Sequence, residues 1–103
     1  MSVFFGENMK IKIFINGKSY ILSISNYSIT LVEEEKLRSI IWQKIYEVVN
    51  ELKNSIYEIC RPNDDEVLKG EPDWKSYTSK ECAMYSLYVI NRVREKLSYE
   101  GWL

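Results

Sequence analysis

Cys60 and Cys82 are the residues whose type first invites chemistry, and the 103-residue chain has no histidine to work with them. A zinc site needs four ligands, usually close cysteine pairs or cysteine with histidine, so these two do not make one. A nucleophilic thiol would lack an imidazole to take its proton, and could lean only on a helix N-terminus or on Lys80 beside Cys82. Two readings remain. The thiols either form a disulfide between the end of one helix and the start of the next, worth about 3 kcal/mol by the chain-entropy relation, or stay reduced as small core residues, as an ordinary cytosol would keep them.

Carboxylates form the second group. Asp64, Asp65, Glu66, Glu71 and Asp73 offer oxygen ligands, but they lack the alternating Asp/Asn spacing and closing glutamate of an EF-hand loop. Helix capping accounts for Asp64 to Glu66 more simply. Glu33-Glu34-Glu35 reads as a solvated first helical turn and not as a catalytic carboxylate pair. There is no Gly-rich phosphate loop, Ser–His arrangement or HExxH sequence. The expectation is a protein that is not an enzyme and uses no cofactor or metal.

Basic and aromatic side chains suggest binding. Net charge is −1, so no global field draws the chain to nucleic acid or acidic lipid. Lys10 and Lys12 with Phe14 on one face of a hairpin could meet phosphates and stack a base, with Arg92 and Arg94 as a second basic group. Solvent-side lysines also protect sheets, and cations near a helix C-terminus complement its dipole. Trp42 and Tyr46 form a second stripe on a long helix, and Tyr85 and Tyr88 add bulk to another. These are either core or anchors for a partner, since Trp and Tyr dominate interface hot spots.

The elements that must position these residues follow from periodicity. Leu37, Ile41, Ile45, Val48, Leu52, Ile56 and Ile59 step by three or four, one face of an amphipathic helix. Thr30 stands three residues before Glu33, a capping-box spacing for its start, and Pro62 stops it. Before it, Asn16-Gly17 between two alternating runs predicts a two-residue hairpin turn pairing Ile15 with Lys18. That register sets Ile13 opposite Tyr20, Ile11 opposite Leu22 and Met9 opposite Ile24, an apolar set expected to face the core. Lys10, Lys12 and Phe14 then look outward. Tyr27, Ile29 and Leu31 predict a third strand, and Val3-Phe4-Phe5 a short edge strand or packed tail.

After Pro62, Asn63 and Glu66 repeat the capping-box spacing and Gly70 closes a short helix. Trp74 is expected to pin the following loop to the body. A last helix begins at Thr78, three residues before Glu81, with Ala83, Leu87, Ile90, Val93 and Leu97 as its apolar side, and Trp102 is placed to fold back on the core.

The sequence therefore predicts one α+β domain over 1–103: a small antiparallel sheet, hairpin plus third strand, over 9–31, with two long helices packed on one face. The long helices are set at 31–60 and 78–98, and a connector with a short helix at 61–77. No apolar segment approaches the ~20 residues needed to cross a bilayer, and Met1 to Lys12 lacks the pattern of a secretory signal, so a cytoplasmic location is expected. The expected function is a non-enzymatic protein that binds another macromolecule, a viral or mobile-element factor acting on a host protein in the host cytoplasm. Its interface residues are Trp42, Tyr46, Tyr85, Tyr88 and Phe14, and surplus apolar helix surface points to a homodimer. The alternative is a nucleic-acid-binding module using Lys10, Lys12, Phe14, Arg92 and Arg94.

Overall fold

The computed structural model describes residues 9–24, 28–52 and 60–102. Strand β1 (Met9–Ile15) turns at Asn16 and Gly17, both left-handed with φ of 49° and 81°, into β2 (Lys18–Ile24). A type I′ turn requires positive φ at both central residues, and Asn-Gly supplies it. The register is the one that the turn and the alternation predict, Ile15 opposite Lys18 through Met9 opposite Ile24. Strand β3 (Ile29–Glu33) pairs antiparallel with the other edge of β2, giving the sheet order β1-β2-β3.

Helix α1 (Glu34–Leu52) follows β3 without a loop. Thr30 is therefore not its cap: Thr30 lies in the strand opposite Ser23, and the ladder to β2 takes the backbone groups that a helical turn would have needed. The helix stripe is as predicted where it is described, with Leu37, Ile41, Ile45 and Val48 all but sealed from solvent. Ile56 and Ile59 lie outside the described residues, as do the Val3-Phe4-Phe5 run and Tyr27.

Helix α2 (Asp64–Lys69) has the full capping box. The Asn63 side chain accepts from the Glu66 N–H, the Glu66 carboxylate accepts from the Asn63 N–H, and Gly70 closes the helix at φ 87°. A 3-10 turn, Trp74–Ser76, leads into α3 (Lys80–Tyr99). Ser79, not Thr78, caps α3, accepting from the Cys82 N–H at 3.1 Å. Trp74 stays half-exposed, and Pro72 is the buried anchor of that loop. The buried side of α3 is Ala83, Ser86, Val89, Ile90, Val93 and Leu97. Leu87 is displaced from it by Ser86, whose hydroxyl meets that of Tyr77 at 2.6 Å and so can be buried without loss.

The core is built mainly between α1 and α3, with Val67 of α2; Trp102 folds back on it as expected, its ring facing the Lys36 ammonium. Both long helices lie on one face of the sheet, α1 directly against β2 and β3 and α3 behind it. The face they cover is not the expected one. Ile21 and Val32 pack against the helical core, so the inner face is that of Lys10, Lys12, Ser19, Ile21, Thr30 and Val32. The apolar set of the hairpin points away from the helices. Its polar rival wins the interior because Lys12 and Ser19 both reach the buried Glu34 carboxylate at the start of α1.

Cys60 and Cys82 are joined as a disulfide, their Cα atoms 5.3 Å apart and 22 residues apart in sequence. The bridge ties the approach to α2 to the first turn of α3. Replacing both cysteines by serine should lower the unfolding free energy by about 3 kcal/mol, read from urea melts, and wild-type protein melted in reductant should lose a similar amount.

Candidate functional site

Glu34 follows directly on Glu33, the last residue of the ladder, and begins the helix, and its side chain is 7% exposed. Lys12 reaches it from β1 at 3.0 Å, Arg38 from the next turn of α1 at 2.9 Å, and the Ser19 hydroxyl donates to it from β2. The Ser19 and Lys12 hydrogen bonds hold the carboxyl down at about 2 despite burial. Arg38 carries the network onward, its Nη1 donating to Asp64 at 2.7 Å and to Asp65 at 2.8 Å. Asp64 holds its guanidinium still more firmly protonated. Three carboxylates and two cations are thus paired with one another, which binds sheet, α1 and α2 together.

The third carboxylate of the consecutive Asp64-Asp65-Glu66 run is also occupied. Glu66 accepts from the Asn63 N–H, from the Asp73 N–H at 2.9 Å and from the Tyr77 hydroxyl at 2.7 Å. Because the single Tyr77 proton goes to Glu66, Ser86 donates to the phenol oxygen. Burial is the main reason that the Tyr77 hydroxyl is pushed up to about 12. That is the opposite of nucleophile activation. The arrangement holds the connector closed.

The basic residues considered for nucleic acid are dispersed, and each is either buried or paired within the chain. Lys10 points inward, its ammonium buried without a hydrogen-bond partner among the described residues. Desolvation, helped by the Arg94 charge, lowers it to about 8. Lys12 serves Glu34. Arg94 is partly desolvated and donates to the Val67 and Leu68 carbonyls at the end of α2, at 2.7 and 3.2 Å. Arg92 pairs with Glu51 and Glu95. Phe14 stands on the helix side of the sheet, not on its open face, but overhangs the turn end at 72% exposure with Lys12 above its ring.

Of the aromatic set, Trp42 and Tyr46 are brought together by a residue that sequence reasoning missed. The Arg61 guanidinium lies 5.9 Å from the Trp42 ring and 5.0 Å from the Tyr46 ring, a contact that occupies part of this stripe from within the chain. Trp42 and Tyr85 pack against the core, while Tyr46 and Tyr88 remain half-exposed.

The larger exposed apolar surface is the outer face of the sheet. Met9, Ile11, Ile13, Ile15, Tyr20, Leu22, Ile24, Ile29 and Leu31 share it by register, and none of the nine is buried. Ile29 is 72% and Leu31 48% exposed. Its charged members are Lys18 and Glu33, paired at 3.7 Å toward the turn end. The sequence signal was the alternation itself; what it did not contain was which side the helices would take. Neither a protein family, nor a curated protein, nor a solved structure matches this chain.

Two outcomes follow from the titrating groups. Because Glu34 is held at about 2 against an ordinary 4.5, the stability that it contributes is full above pH 4.5 and is lost as pH falls toward 2. Glu34→Gln should cost about 2 kcal/mol at neutral pH and flatten the acid limb of the stability profile. Lys10 has the same slope for the opposite reason, its charged form being disfavoured by the fold: a folded value of about 8 against 10.5 makes stability rise with pH above 8. Lys10→Met should raise the melting temperature at pH 7 and abolish the rise between pH 8 and 9.5.

Proposed function

We propose that this protein is a non-enzymatic interaction protein and that it binds its partner through the outer face of the β-sheet. The observation that carries this reading is a continuous face of nine apolar side chains, five of them exposed and the other four half-buried. Monomeric proteins seldom leave a contiguous apolar patch of several hundred Å2 open, and such patches mark binding surfaces. A protein partner fits better than nucleic acid, because Lys12, Arg92 and Arg94 are spent on contacts within the chain and the Lys10 ammonium is buried. Tyr46 and Tyr88, half-exposed on the helices, are secondary contact candidates.

An origin in a virus or mobile element and action on a host protein remain part of the proposal. No helix among the described residues is long and apolar enough to cross a membrane. Work in a cytoplasm fits the Cys60–Cys82 bridge best if the host is a hyperthermophile, whose intracellular proteins commonly carry disulfides.

A photo-crosslinking residue placed at Ile11, on the outer face, should give specific adducts in the native cell. The same residue at Glu95, on exposed α3 surface, should give none. Equal yields at the two positions, or adducts from Glu95 alone, would remove the sheet face as the binding surface.

A further inference from the structure

The occupant of the outer face is legible from its chemistry. A face that packs on its own copy about a two-fold axis must be self-complementary. Any excess of one charge sign on it would meet the same sign across the axis. Here the charged members of the face are one lysine and one glutamate, Lys18 and Glu33, already paired, so the face is neutral as well as apolar. The lysines of β1 that would break this neutrality, Lys10 and Lys12, point to the other side.

Size is the second argument. Three strands of up to seven residues make a patch about 24 Å long and 14 Å wide, carrying roughly 500–600 Å2 of accessible surface. Two copies stacked face to face would bury about 1,000–1,200 Å2, the lower bound of a specific interface. Its composition is that of a homodimer core, with β-branched and aliphatic side chains that interdigitate between aligned sheets about 10 Å apart.

Resting on the reading of this face as the binding surface, we infer that its occupant is a second copy of the chain, and that the protein is a two-fold dimer closed by sheet-on-sheet packing. The axis runs along the strands. Rotation about it sets the turn end over the partner's turn end, so that the Lys18–Glu33 pair of each copy stays at the solvated rim of the interface. An axis across the strands would instead lay that ion pair over the apolar end formed by Met9, Ile24 and Ile29, where its charges would lose water without gaining partners. In the dimer β1 lies over the partner's β3, and the helices of both copies are outermost.

The test is sedimentation equilibrium of the full-length protein with its disulfide intact, across about 1 to 200 µM. Wild type should be dimeric. Ile11→Lys combined with Leu31→Lys should weaken association about 100-fold or more while circular dichroism and melting of the monomer remain folded. Lys18→Glu alone and Glu33→Lys alone should each weaken the dimer about tenfold, and the double swap should recover most of it, while the monomer of each variant melts within a few degrees of wild type, which separates association from the intrachain pair that the swap also restores. A wild-type monomer throughout this range overturns the dimer. If the Ile11 crosslinker then joins a different protein, the outer face is still the binding surface and only its occupant was wrong. If it joins residues 1–8 of the same chain, or nothing, the binding reading falls with the dimer.

Discussion

The buried carboxylate of Glu34 is the constraint on which the other parts depend. It stands where β3 becomes α1, too far inside to be solvated and too strongly charged to be left alone. Lys12, Ser19 and Arg38 answer it, and through Arg38 the charge network extends to Asp64 and Asp65 at the head of α2. A buried ion pair of this kind is a weak source of net stability, because desolvation offsets most of the attraction. Its effect is on choice. With the carboxylate fixed beneath β1 and β2, the side of the sheet bearing the hydroxyl and the ammonium is the one that can close over it.

That choice separates what the chain reveals in one dimension from what it does not. The hairpin register, the Asn63–Glu66 capping box and the stripe of α1 were legible because each is settled by residues within a few positions of one another. The orientation of the sheet was not. Alternation shows that two faces differ, and apolar content ranks them, yet the ranking ignores a carboxylate that both Lys12 and Ser19 must reach. The same reasoning applies to Thr30, whose spacing to Glu33 suits a cap equally well but whose backbone is claimed by β2.

The connector shows a second form of this limit. Leu87 was expected on the core side of α3, and the phenol of Tyr77 puts Ser86 there instead by giving the serine a partner. Glu66 looked like a capping residue and is one, but its second oxygen also gathers Asp73 and Tyr77. Arg61 could not have been assigned to Trp42 and Tyr46 without knowing where the chain returns after α1. Of the candidate site, the residue types were visible and their partners were not: the aromatic stripe suited core and interface alike, the acidic run read as caps, and the apolar strand residues as core.

The cysteine bridge has a topological consequence as well as an energetic one. It encloses α2, the Glu66 network and the exposed turn at Trp74, Lys75 and Ser76 within a covalent ring. Cleavage by a protease at Lys75 would open that ring without releasing either part. The two fragments would remain one molecule, held by sulfur and by the packing of α3 on α1, and would separate only when both the bridge and the core had been undone.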